Sequence, residues 1–176
     1  MFIRPATPRD LGRILDIYAY ARRRMAKAGN LHQWGMDYPP RELVQSDIAQ
    51  GCCYVGVDRD DAARFVFALF GGADPTYQAI EDGAWPNEAP YLTIHRVASD
   101  GTVHKTVATC LNYAERRALE LGIHDIRIDT HEDNAAMRHV LVGLGFGRCG
   151  IIHLENGDAR IAYQLTFGTD AVAPEA

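Results

Sequence analysis

Between Tyr91 and Thr109 the chain reads Tyr91-Leu92-Thr93-Ile94-His95-Arg96-Val97-Ala98-Ser99-Asp100-Gly101-Thr102-Val103-His104-Lys105-Thr106-Val107-Ala108-Thr109. An apolar strand-like run ends in a polar turn, and a helical pattern starts at once behind it. Such a junction gathers unpaired backbone N–H groups and the positive end of a helix dipole at one point, which suits an anion such as a pyrophosphate. His104 and Lys105 add side-chain donors, and Thr106, Val107, Ala108 and Thr109 supply the first turn of the helix. On the strand, His95 offers an imidazole, the side chain whose ordinary pKa suits a base working near neutrality. Alternation sets Thr93 and Val97 on its face. Both features also have plain structural readings: a turn capped by Ser99 or Thr102, and a hydrogen-bonded core histidine.

Two further groups of residues have chemical potential. Trp34 and Tyr38 lie in a loop with Pro39 and Pro40, and Tyr77, Glu81, Asp82 and Trp85 lie in the long turn-rich segment Gly71 to Pro90. Aromatics beside acids suit a cationic amine, although each aromatic could equally anchor a loop and each acid sit in a solvated turn. A connection of that length is more often functional than idle. Asp129, His131, Glu132 and His139 are neighbours in sequence but lack a repeated ligand spacing, so no metal is expected. Cys52, Cys53, Cys110 and Cys149 form no C-x-x-C pair and read as reduced, mostly core thiols.

These residues must be held by a frame, and the 176-residue chain is long enough to build one globular domain. Its 47% apolar content excludes intrinsic disorder, and a net charge of −5 argues against nucleic acid or an anionic membrane as the main partner. The N-terminus lacks a signal-peptide core and no apolar run approaches ~18 residues, so a soluble, cytoplasmic protein is expected.

Along the chain, a first strand at Phe2–Arg4 leads into a helix opened by Thr7-Pro8-Arg9-Asp10, with Leu11, Ile14, Leu15, Tyr18 and Met25 on one face and Gly29-Asn30 as its stop. Arg22, Arg23 and Arg24 read as a solvated face suited to the helix C-terminus. A shorter helix over 41–50 follows, then a hairpin of strands 52–57 and 64–70, and the strand 91–98. The second half alternates a helix carrying Val107, Cys110, Leu111, Ala114 and Ala118, a strand over 123–129, a helix opened by Asp133-Asn134, and a hairpin closed by Asn156-Gly157. A single domain over 1–167 and a frayed tail over Gly168–Ala176 complete the expectation. The order βααβββαβαββ predicts an α+β protein with a mixed, mostly antiparallel seven-stranded sheet and about four helices, unlike a doubly wound dinucleotide fold.

That order, the 91–109 junction, the later Asp129-Thr130-His131-Glu132-Asp133-Asn134 and the helix end Leu144-Gly145-Phe146 together resemble the GCN5-related N-acetyltransferase (GNAT) family over about residues 2–165. The resemblance implies an acetyl-CoA-dependent N-acetyltransferase that acts by direct transfer to a primary amine, with a small molecule as the expected acceptor and a homodimer admitted. It sets Val103, Thr106 and Ala108 on the family's pyrophosphate-binding pattern of Arg or Gln, two residues, Gly, one residue, then Gly or Ala. It places backbone groups of Val97, Ala98 and Ser99 at the pantetheine arm and sets Asn134 where many members contact the cofactor. His95 falls on a strand where some members carry their base, and Trp34, Tyr38, Tyr77, Glu81, Asp82 and Trp85 fall in regions that build the acceptor pocket. Two departures from the pattern matter. Thr106 replaces a glycine, and Leu141 stands where many members have a tyrosine that protonates the departing thiolate; Tyr113, Ser99 and water are the alternatives. A binding module without efficient catalysis is therefore the second reading.

Overall fold

The computed structural model describes residues 1–168, so the tail reading for Gly168–Ala176 falls, except for Gly168, outside the described residues. Strands β1 (Phe2–Pro5), β2 (Cys53–Val57), β3 (Ala63–Gly71), β4 (Tyr91–Ser99), β5 (Asp125–Thr130), β6 (Gly147–His153) and β7 (Ala159–Thr166) form one sheet in the order β1-β2-β3-β4-β5-β7-β6. Helices α1 (Leu11–Lys27), α2 (Arg41–Ala49), α3 (Thr106–Glu120) and α4 (Ala135–Gly143) flank it. Every strand pair is antiparallel except β4 with β5. Among the described residues, no helix is long and apolar enough to cross a membrane.

Periodicity explains which face each element buries. Leu11, Ile14, Ile17, Tyr18 and Ala21 of α1 pack with Val44 and Ile48 of α2 against Val55, Val66 and Ala98. On the opposite face, Cys110, Leu111, Ala114 and Ala118 of α3 and Leu141 of α4 cover Phe65, Phe67, Ile94, Ile126 and Ile128. A third cluster, Tyr77, Cys149, Ile152 and Ala162, lies under the long segment between β3 and β4. That segment is pinned to the sheet by a bridge between Glu81 and Ile151, with Glu81 N–H to Ile151 O and Ile151 N–H to Glu81 O both at 2.8 Å. Gly150 makes the approach possible, because a Cβ there would lie 2.5 Å from the Glu81 carbonyl oxygen.

Three local expectations are corrected. The Thr7-Pro8 signal opens a short 3-10 turn, Pro8–Asp10, before α1, with the Thr7 N–H and hydroxyl donating to Asp10 at 2.8 and 2.9 Å. Helix α3 is capped by neither Ser99 nor Thr102. Its N-cap is Lys105 in the left-handed conformation, φ +56°, while Asp100 accepts from the N–H and hydroxyl of Thr102. The third correction concerns β4. Its register against β3 runs from Ala68↔His95 to Val66↔Ala98, so Arg96 and Val97 together oppose one residue. This is a β-bulge, and it turns Val97 to the α3 side, away from the face that carries Thr93 and His95.

Candidate active site

The bulge is built from residues that hold it in place. Arg96 adopts φ +53°, rare for a residue with a Cβ. Its carbonyl accepts a hydrogen bond from the Tyr18 hydroxyl at 3.1 Å, its guanidinium meets Asp47 of α2 at 2.7 Å, and the same group lies over the Phe70 ring at 5.2 Å. Burial works most strongly against the Arg96 charge, but Asp47 together with Tyr38 and Tyr18 outweighs it and holds the guanidinium above its ordinary value.

Where β4 bulges it also leaves β5. Their parallel ladder comprises Tyr91↔Asp125, Leu92↔Ile126 and Thr93↔Arg127. Beyond it the two strands diverge, and a cleft of about 650 Å³ opens between Ile94–Val97 on one side and Ile128 and Asp129 on the other. Trp34 and Tyr38 line it from the loop between α1 and α2, Asp74 and Thr76 from the long β3–β4 segment, and Asn134 and Met137 from the start of α4.

His95 sits in this cleft between two carboxylates. Its Nε2 lies 3.0 Å from Asp74 Oδ2 and its Nδ1 3.6 Å from Asp129 Oδ1. The His95 and Asp74 side chains are each about 20% exposed and that of Asp129 is 9% exposed, so the group is shielded but reachable. Asp74 divides its work. Oδ1 accepts from the Thr76 N–H and hydroxyl at 2.9 and 2.6 Å, which fixes the turn, and Oδ2 is left to the histidine. Burial opposes its charge, yet the bonds from His95 and Thr76 outweigh burial and bring the carboxyl down to about 2. Asp129 accepts from the buried Tyr77 hydroxyl at 2.8 Å, and burial followed by the neighbouring Asp129 charge pushes that phenol well above its ordinary value. Tyr77 therefore enters the cluster as a neutral donor. An aspartate on one imidazole nitrogen selects the tautomer and leaves the other nitrogen to take a proton.

The cleft's charge is predominantly negative. Asp37, Asp74, Asp129, Glu155 and Asp158 line it, against Arg96 and Arg160. Both guanidiniums face carboxylates, Arg96 at Asp47 and Arg160 at Asp158, 3.7 Å away.

At the other end of the β4 edge, the junction selected from the sequence has the required form. The amides of Thr106, Val107 and Ala108 begin α3, and a helix leaves these donors without partners of its own. Thr106 is helical and the positive φ falls on Lys105, so the substituted position carries no backbone strain. Gly101, at φ +81°, lets the turn pass the Tyr20 hydroxyl, which a Cβ would meet at 2.2 Å. His104, Lys105 and Thr109 are exposed there, and the Thr109 hydroxyl is turned back onto the Lys105 carbonyl at 3.1 Å. Val97 lines the cleft, whereas Ala98 is buried against α1 and Ser99 ends the strand. Asn134 also lines it, with its side chain committed on both sides: Oδ1 accepts from Met137 N–H at 3.2 Å, and Nδ2 donates to Gln33 Oε1 at 3.2 Å.

Several selected residues lie elsewhere. Trp85 donates to the Tyr77 carbonyl at 2.9 Å and stacks on Arg127, whose guanidinium lies 3.9 Å from both the Trp85 and Tyr91 rings. Glu81 belongs to the bridge with β6 and faces His153 at 3.3 Å, and Asp82 occupies the adjoining exposed turn at φ +52°. None of these three lines the cleft, so the acids expected to attract an amine are replaced by Asp74 and Asp129. Tyr113 packs on Tyr54 and Phe67 and also lies outside the cleft lining, while Leu141 is fully buried in the core. Asp74, Gln33 and Arg96 escaped the sequence reading, since a turn aspartate, a loop glutamine and a strand arginine carry no spacing signal. In the sequence, Asp129 and His131 stand in the motif that precedes α4 and in a group without metal-ligand spacing, and neither place marks them as partners of a base. The described residues bring His131 instead to His32 and Asp133.

No protein-family model matches the sequence, and no curated protein does. Solved structures do. An acetyltransferase of the GNAT family from Listeria monocytogenes 4b F2365 is 20% identical, with a TM-score of 0.71 and 94% of each chain covered. The NatB acetyltransferase complex bound to CoA and MES is 11% identical, with a TM-score of 0.64, 95% of this chain and 99% of that chain covered. A GNAT-family acetyltransferase from Streptococcus agalactiae 2603 is 33% identical and superposes with a TM-score of 0.76 over 94% of this chain and 95% of that one. Identity of that degree over nearly the whole of both chains, on a sheet split between β4 and β5, means that the chain belongs to the GNAT family of acetyltransferases.

Proposed function

We propose that this acetyltransferase moves an acetyl group directly from acetyl-CoA to the primary amine of a small, cationic molecule held in the β4–β5 cleft. The observation that carries the reading is His95, held between Asp74 and Asp129 on the side of β4 that faces the opening. A protonated amine is drawn in by the carboxylates of Asp129 and Asp37, with no mobile counter-cation needed. His95 Nδ1 then takes the ammonium proton, and Asp74 on Nε2 stabilises the imidazolium that results. Trp34 and Tyr38 line the cleft and would give the acceptor aromatic surface to rest on. The CoA-bound NatB structure supports CoA as the carrier, and the residues fit it. The free edge of β4 from Ile94 to Ser99 would pair with an extended amide-bearing arm, and the first-turn amides of α3 with Lys105 would hold a pyrophosphate. When bound, the thioester would supply an activated acyl carbon that exchanges its C–S bond for a C–N bond as a neutral amine attacks, with CoA leaving as a thiolate that takes up the proton the new amide nitrogen gives up. The free cysteines are consistent with work in the cytoplasm.

The test is release of free CoA from acetyl-CoA across a panel of small amines, run beside thermal shift with acetyl-CoA alone. Turnover is expected with dicationic or polycationic amines and to collapse in His95→Gln. A rise in Tm without turnover on any amine would favour the binding-module reading instead.

A further inference from the structure

We infer that His32, His131 and Asp133 form a site for a divalent transition-metal cation of the zinc type at the rim of the cleft. One donor atom from each residue lies within 4.8 Å of the others. His32 comes from the loop between α1 and α2, and the other two from the turn between β5 and α4, so about a hundred residues separate the halves and no sequence motif announces them. This site is independent of the acetyl-transfer reading.

The geometry is close to what a tetrahedral ion needs. Bonds of about 2.0–2.2 Å place adjacent donors roughly 3.3–3.5 Å apart. His131 Nδ1 is already 3.4 Å from Asp133 Oδ2. His32 Nδ1 is 2.6 Å from the same oxygen and must withdraw by less than an ångström, which its 72% exposed side chain permits. The two rings lie 5.6 Å apart at their centroids. Two imidazole nitrogens thus converge on one residue, Asp133.

One half of the site is held rigidly. The Asp133 N–H donates to His131 Nδ1 at 3.1 Å, so the lone pair of that nitrogen is turned toward Asp133. A cation exchanges that contact for a coordinate bond. Gln33 Oε1 accepts from the His131 N–H and the Thr130 hydroxyl, each at 2.9 Å, so the β5–α4 turn is braced by the residue next to His32. Two imidazoles and one carboxylate suit zinc, nickel or copper and not magnesium or calcium, which demand oxygen cages. Three protein donors leave a fourth position for water or a group reaching out of the cleft. A bound ion would tie the loop that carries Trp34 and Tyr38 to the β5–α4 turn.

Isothermal titration of the full chain with Zn²⁺, paired with the visible spectrum of a Co²⁺ titration, tests the assignment. One equivalent of Zn²⁺ should bind, Mg²⁺ should not, and Co²⁺ should give the intense bands of a four-coordinate ion. His32→Asn and His131→Asn should each weaken Zn²⁺ binding by at least about 10-fold, while His139→Asn leaves it unchanged. His32 is exposed, so its variant retains the fold, and circular dichroism verifies this. Absence of Zn²⁺ binding, or binding equally tight in His32→Asn, would overturn the site.

Discussion

Arg96 and Asp47 meet at 2.7 Å with their side chains only 10% and 6% exposed, and this pair couples helix α2 to the bulge of β4. Removing one partner strands a buried charge, which costs about 3–5 kcal/mol. Asp47→Ala should therefore lower the free energy of unfolding by about that amount in urea titration. Because the unpaired guanidinium no longer holds the left-handed bulge, turnover should fall further than the loss of folded protein explains.

His95→Gln should reduce kcat by about 10²–10⁴-fold, the range typical of a lost general base, with little change in the KM for acetyl-CoA. Asp74→Asn should give a smaller loss, since the amide still meets Nε2 but stabilises an imidazolium less well. Steady-state rates against pH separate a base from a packing residue. The limb over which wild-type activity rises with pH should vanish in His95→Gln, and its persistence would remove His95 from the mechanism.

Acid should weaken the fold through Asp74. Its carboxyl titrates near 2 in the folded chain against an ordinary 3.8, so the unfolded chain binds the proton first. The stability this contributes is fully present above about pH 4 and is lost as pH falls through about 2. Allowing for solvent screening, it amounts to on the order of 1 kcal/mol. Thermal melts from pH 5 to pH 2 should fall less steeply for Asp74→Asn than for the wild type.

Gly150→Ala drives a Cβ to 2.5 Å from the Glu81 carbonyl and 2.8 Å from Ile80 Cγ1, so the β3–β4 segment must lift from β6. Overpacking of this kind costs about 1–3 kcal/mol. The same lift moves Asp74 relative to His95. Both Tm and kcat should drop, although the substitution lies outside the cleft lining.

The frame was legible because it rests on local rules. The α1 face, the Asn134 cap and the Asn156-Gly157 turn each depend on residues within one or two turns of each other. The site depends on distances across the sheet, and there counting failed where the backbone broke its own period. An arginine, not a glycine, carries the bulge at Arg96, so alternation put Val97 on the wrong face. Glu81, Asp82 and Trp85 had the composition of an amine pocket but serve the sheet edge and Arg127, whereas Asp74 had the look of a turn residue and holds the histidine. His95 was legible as a candidate and does line the cleft, because the chemistry of imidazole narrows the choice before geometry does.

The three-pair ladder between β4 and β5 divides the sheet into a four-stranded and a three-stranded half. Side chains staple the halves across the gap: Tyr77 to Asp129 and Gln33 to Thr130. The candidate cleft is thus also the mechanical seam of the sheet, the place where, among the described residues, the fewest ladder pairs resist separation. A reactant whose amides pair with the bare edge of β4 would act as a missing strand. Occupancy and cohesion then become one quantity, and amide exchange along Ile94–Ser99 would report both.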